Sequence, residues 1–335
     1  MSDQESHHER ELGGQLLASV SRSFYLTLKA LPKELREPLS LAYLLARTAD
    51  TIADTAAVSA EVRLSCLKHY HELIQQPDEQ HQRMLSQRIA SDFVKNQADE
   101  AERRLMERFE DGLAWLQTMQ GSSLAAIQQV LERIIHGQTL DIQRFPSDGG
   151  LRCLQSAEEL DEYTWLVAGC VGEFWTEMCA LEKPESLDAS VSVAQMKSWG
   201  ARLGKGLQLI NILRDIGEDL HDGRCYLPGH EAATVRMNPR ILQPEWNQWL
   251  ATCREHLECG LHYVQHVADG KLRYATSLPL LLGAKTLTRM HSASWEDLQK
   301  GIKISRLDVA MILAEAAIAC RSPEGIGKLF KRLNQ

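Results

Sequence analysis

The chain has 335 residues, 44% hydrophobic and 24% charged, an ordinary globular composition that leaves room for one large or two small domains. A net charge of −8 and a pI near 5.9 exclude general nucleic-acid binding. Eight cysteines without a CxxC pair, several inside apolar runs, read as buried thiols of a reducing compartment, not as a disulfide or zinc framework.

The opening MSDQESHHERE is polar and lacks the apolar core of a secretory signal, so residues 1–14 read as a flexible tail. From residue 15 onward apolar residues recur at spacings of three and four. They predict helices over 15–31, 36–56, 60–75, 99–119, 122–143, 158–181, 189–221, 246–269, 274–291 and 304–320. Breakers separate them: Pro32, Pro38, Pro77, FPSDGG at 145–150, PES at 184–186 and an irregular piece from Asp222 to Pro244. No Gly/Ser linker interrupts the series, so residues 15–335 read as a single all-α domain. The most apolar segment, LDVAMILAEAAIAC at 307–320, carries Asp308 and Glu315 and falls short of the roughly 20 residues a bilayer span needs. No transmembrane segment is expected, and the closing GKLFKRLNQ reads as a solvated helix end. Nucleotide motifs are missing as well. Gly204–Gly206 has neither a preceding strand nor a third glycine, and GARLGKG is one residue short of a P-loop.

Two acidic pairs stand out. In LLARTADTIADT (44–55), Asp50 and Asp54 lie four apart with Arg47 three before the first, one face of a helix. In QLINILRDIGEDLHDGRCYLP (208–228), Gln208, Asn211, Asp215 and Asp219 form a polar stripe on an otherwise apolar helix, with Arg214 and Arg224 close by. A lone DxxxD is usually a solvated face. Two such pairs, each in an apolar helix with arginines attached, point elsewhere. Carboxylates converging from facing helices suit Mg²⁺, which borrows phosphate oxygens, while arginines grip the remaining oxygens. The chemistry this favours is departure of pyrophosphate from a diphosphate ester in an apolar helical cavity.

Four blocks, in this order, resemble the squalene/phytoene synthases: SRSFYLTLKALP (21–32), RTADTIAD (47–54), YTWLVAGCVG (163–172) and NILRDIGEDLHDGRCYLP (211–228). The resemblance runs from about residue 17 to residue 320 and implies the isoprenoid synthase fold, a helical bundle with a central cavity. It implies Mg²⁺–diphosphate binding by Asp50, Asp54, Asp215 and Asp219, supported by Gln208 and Asn211. Ser21, Arg22, Arg47, Arg214 and Arg224 are then expected on diphosphate oxygens, Phe24 along the substrate, and Tyr163 near the cationic centre. The 47–54 motif departs from squalene synthases at Ala53, where another acid is common. The 211–228 motif is more similar to phytoene synthases, whereas TSLPLLLGAKTL (276–287) and KGIKISRLDVAMILAEA (300–316) resemble squalene synthases. The basic element of that last segment implies NADPH at Lys300, Lys303 and Arg306.

The resemblance therefore predicts a cytoplasmic squalene synthase, with peripheral contact to the inner face of the membrane for product delivery. Two farnesyl diphosphates would condense to presqualene diphosphate, which NADPH-dependent reduction would turn into squalene. The alternatives are a presqualene diphosphate synthase, a dehydrosqualene synthase, or a phytoene synthase acting on geranylgeranyl diphosphate.

Overall fold

The computed structural model describes residues 11–21, 24–146 and 149–335. It is 80% helical, and among the described residues the only sheet is a two-residue parallel pair, β1 (Arg152–Cys153) and β2 (Arg224–Cys225). The chain divides into two compact units, one of residues 1–143 with 181–183, the other of residues 144–180 with 184–335.

The first unit begins with a π-helical turn, Glu11–Leu16, in which Leu12 is fully buried although it lies in the stretch expected as tail. The α-helices that follow are α1 (Leu17–Ser21), α2 (Phe24–Ala30), α3 (Lys33–Asp54), α4 (Ala60–Gln75), α5 (Glu79–Arg88), α6 (Glu100–Glu107), α7 (Phe109–Thr118) and α8 (Gly121–Arg144). Helix α3 is the centre of this unit. It buries Leu35, Leu39, Leu41, Leu44, Leu45, Ala49 and Ile52 on a stripe that returns every three or four residues. Helix α5 is absent from the sequence-based expectation because EQHQRMLSQR buries only Leu85 and has no apolar stripe to reveal it.

The second unit holds α9 (Ala157–Thr164), a π-helical turn at Trp165–Gly169, α10 (Cys170–Glu182), α11 (Val193–Arg214), α12 (Ile216–His221), α13 (Ala232–Met237) and α14 (Gln243–Gln265). After these come α15 (Gly270–His291), α16 (Trp295–Gln299), α17 (Arg306–Ala319) and α18 (Pro323–Leu333). Helix α11 packs along α14 and against the π turn. The crossing near the π turn is backbone on backbone: a Cβ on Gly172 would sit 1.9 Å from the Gly200 carbonyl oxygen, and one on Gly204 would sit 2.1 Å from that of Ala168. Only glycine fits there. All eight cysteines are free, and seven are buried.

Candidate active site

The first acidic motif lies on the last two turns of α3. Arg47 donates through Nη1 to Asp50 Oδ2 and through Nη2 to Glu102 Oε1 of α6. The other Asp50 oxygen accepts from Gln138 Nε2 of α8 at 3.0 Å. Asp54, the final residue of α3, is exposed. Burial works against the Arg47 charge, yet Asp50 and Glu102, with smaller contributions from Tyr43 and Asp54, outweigh it and raise its pKa. The Arg47 Nε–H is buried and meets no acceptor among the described residues.

Glu102 and Gln138 escape the sequence reading for different reasons. Glu102 sits in DEAERRLMER, which resembles any solvated helix, and is placed by Asp99, whose carboxylate caps the Ala101 and Glu102 amides at 2.8 and 3.2 Å. Gln138 left a signal. It falls on the apolar stripe of Ile134, Ile135 and Ile142 and is buried with them, where an amide needs a partner.

The second motif spans a helix break. The expected helix over 189–221 stops at Arg214, and Asp215 (φ −97°, ψ 13°) links α11 to α12. At that turn the Leu213 carbonyl accepts from the Trp246 indole N–H at 3.0 Å. The i to i−4 bonds nevertheless continue from the Asp215 amide to Asn211 and from the Asp219 amide to Asp215, at 2.9 and 3.0 Å, so the polar stripe keeps its phase. Gln208 and Asn211 are joined at 3.3 Å. Arg214 forks onto both oxygens of Asp215 at 2.7 and 2.5 Å, and that bond holds its pKa up. Arg224 reaches Asp219 at 3.1 Å from β2, which stands in register beside β1. Asp219 is only 14% exposed.

Tyr163, at the end of α9, is buried and stacks on Tyr226 with ring centroids 5.1 Å apart. Phe145 meets the same Tyr226 edge-on at 4.8 Å. Tyr226, the ring that joins Tyr163 and Phe145, was passed over in the sequence; it stands two residues after Arg224 in GRCYLP. Phe24 stacks on Tyr43 at 5.2 Å. Ser21 is buried with its hydroxyl donated to the Leu17 carbonyl. Arg22 lies outside the described residues. Lys300, Lys303 and Arg306 are exposed, strung between the end of α16 and the start of α17.

The donor chemistry fits Mg²⁺. Both motifs offer hard carboxylate oxygens in pairs, and among the described residues no three His, Cys, Asp or Glu side chains gather as a metal cage. One or two carboxylates completed by phosphate oxygens is how Mg²⁺ is commonly held. The exposed cations at 300, 303 and 306 fit a dinucleotide only through its phosphates.

The sequence profile of the squalene/phytoene synthases matches residues 17–308. The chain is 28% identical over 258 residues to the squalene synthase of Saccharomyces cerevisiae, covering 76% of this chain and 53% of that one. It is 25% identical over 329 residues to the squalene synthase of Cyberlindnera jadinii, covering 95% and 69%. The chain thus spans about half to two-thirds of these relatives' lengths. In fold it is similar to TcSQS solved with the ligand E5700, with a TM-score of 0.77, 19% identity and coverage of 99% and 90%. With the profile matched over most of its length, from the first helix to the start of α17, the chain belongs to the squalene/phytoene synthase family.

Proposed function

We propose that this protein is a Mg²⁺-dependent head-to-head prenyltransferase that joins two farnesyl diphosphates through presqualene diphosphate and, with NADPH, yields squalene. The observation that carries this reading is the repeated pairing of a motif aspartate with an arginine, Arg47 with Asp50 and Arg224 with Asp219. Such pairs keep guanidinium groups charged and aimed where a diphosphate arrives. Bound Mg²⁺ supplies charge neutralisation for the departing pyrophosphate. Asp50 with Asp54, and Asp215 with Asp219, each bind Mg²⁺, while Arg47, Arg214 and Arg224 hold phosphate oxygens. Gln208 and Asn211 orient the second pair. The stacked rings of Tyr163 and Tyr226 offer π faces to a carbocation, and the Tyr163 phenol stands at hand to direct proton loss. Lys300, Lys303 and Arg306 hold NADPH by its phosphates, and the nicotinamide supplies hydride. The protein works in the cytoplasm and touches the membrane peripherally; among the described residues no helix is long and apolar enough to cross it.

The test is a product assay with purified protein, farnesyl diphosphate and Mg²⁺, with and without NADPH, the lipid extract analysed by mass. Squalene formed only with NADPH is the expected result. Presqualene diphosphate in both tubes, or dehydrosqualene without reductant, would replace the reductive reading. Turnover of geranylgeranyl diphosphate alone would favour phytoene, in keeping with the phytoene-like second motif. No product with either substrate would overturn the proposal.

A further inference from the structure

Helix α17 exposes a face that water does not favour. From Leu307 to Ile318 every exposed residue is apolar: Leu307, Ala310, Met311, Ala314, Ala317 and Ile318. The three large ones are 70%, 52% and 67% exposed. Leu307, Met311, Ala314 and Ile318 follow one another at spacings of four, three and four, a continuous stripe along about 17 Å of helix. A surface helix ordinarily turns charge outward, and single exposed apolar residues elsewhere, such as Met84 and Met237, form no such row. Both α17 acids are turned away from the stripe and neutralised. Asp308 pairs with Arg289 of α15 at 2.9 Å and closes the capping box with Ser305, while Glu315 pairs with Arg332 of α18.

The neighbouring helix complements the stripe. Helix α18 buries Ile326, Leu329, Phe330 and Leu333 and leaves Lys328, Lys331 and Arg332 exposed. Residues 300–335 hold seven Lys and Arg against three Asp and Glu, in a chain whose net charge is −8. The last tenth of the sequence is therefore net positive while the rest is more acidic than the total suggests. An apolar row beside a basic one, at a cationic end of an acidic protein, is the pattern of a helix lying in a lipid interface.

We propose that α17 and α18 dock this protein on an anionic lipid surface. Leu307, Met311 and Ile318 enter the boundary between headgroups and acyl chains, and Arg321, Lys328 and Lys331 meet lipid phosphates. A second copy of the chain fits this face less well. A two-fold interface sets each patch against itself and would bring two net-positive ends together. The acidic remainder of the molecule is repelled by the same surface, which fixes the orientation of docking. The inference draws on the proposed reaction only in that a hydrocarbon product needs a lipid to enter.

The experiment is co-sedimentation of the full chain, without substrate, with phosphatidylcholine vesicles containing about 30% phosphatidylglycerol, and with phosphatidylcholine alone. Wild-type protein is expected to bind the anionic vesicles and to release as salt rises from about 0.1 M to about 0.5 M. Substituting Leu307→Ser, Met311→Ser and Ile318→Ser together should weaken binding by about ten-fold or more. Arg321→Glu with Lys328→Glu and Lys331→Glu should abolish the preference for anionic lipid. Far-UV circular dichroism and turnover in vesicle-free solution should stay unchanged in the serine variant, because all three side chains are exposed. Equal vesicle binding by wild type and serine variant would overturn the proposal, and so would no wild-type binding. A wild-type dimer in sedimentation velocity that the serine variant loses would assign the face to a second copy instead. Binding without turnover, or turnover without binding, separates failure of the prenyl-transfer reading from failure of this one.

Discussion

The two acidic motifs carry the same residues and are built in opposite ways. The first draws its partners from far along the chain: Arg47 and Asp50 of α3 are fixed by Glu102 of α6 and Gln138 of α8. The second is nearly self-contained, since Gln208, Asn211, Arg214, Asp215, Asp219 and Arg224 lie within 17 consecutive residues and bond to one another. A site assembled from distant helices depends on the packing of those helices. One assembled locally depends on the course of its own backbone. Disturbing each in its own way should therefore give different symptoms.

The largest effect is expected at the carboxylates. Asp219→Asn, at the more buried end of the local cluster, should lower product formation about a thousandfold with the helical circular dichroism unchanged. A rate within ten-fold of wild type would remove the second motif from the chemistry. Next comes the backbone of that motif. A Cβ on Gly217 would lie 2.2 Å from the Gln299 carbonyl oxygen of α16, so Gly217→Ala should cost about 2–3 kcal/mol in urea unfolding and impair turnover as well. Unchanged stability would mean that α16 yields freely.

Acid should loosen the second motif's helix. His256 of α14 accepts from Arg202 Nε of α11 at 3.1 Å, and burial, aided by Arg202 and Lys205 and opposed by Asp161, pushes its pKa down to about 4. The folded protein then resists a proton that the unfolded chain takes up near pH 6.5. Stability is full above that pH and falls as pH drops from about 6.5 to about 4, by about 3 kcal/mol. His256→Gln should flatten that part of a pH series of melting temperatures, and an unaltered slope would place the acid sensitivity elsewhere. The smallest effect probes the dispersed cluster. Glu102→Gln leaves Arg47 with one carboxylate fewer and should reduce kcat/KM about ten-fold, mainly through KM. If kcat alone fell, Glu102 would be acting on the reaction and not on the posture of Arg47.

The same contrast decides what could be read in advance. The all-α class and most helices follow from apolar spacing, and α4 at Ala60–Gln75 has the expected ends. The second cluster was legible almost whole because its partners are sequence neighbours. The break at Asp215 was hidden because it depends on Trp246 taking the Leu213 carbonyl, a contact across 33 residues. Glu102 was unreadable for the same reason, since nothing in DEAERR distinguishes it from the charged residues around it. Gln138 was readable and overlooked, a polar residue in phase with isoleucines. Tyr226 belongs between these cases: its position after Arg224 was visible, but its role depends on stacking with Tyr163, 63 residues earlier.

The π-helical turn at Trp165–Gly169 has a consequence for how this protein can change. A π turn amounts to one residue more than an α-helix would use. It separates Tyr163 from a downstream helix pinned at Gly172, where no side chain can be added. Deleting one residue within 165–169 would close the π turn to an α turn and keep α9 in phase with that pin, whereas a deletion in the regular winding between Tyr163 and Gly172 would turn Tyr163 by about 100° off Tyr226. Point substitutions can tune this tyrosine's surroundings, but its bearing is stored as a residue count. A deletion in that regular winding would act as a frameshift of geometry, leaving every surrounding side chain intact while re-aiming the tyrosine near the end of α9; the π turn is the place where one residue can be lost without that effect.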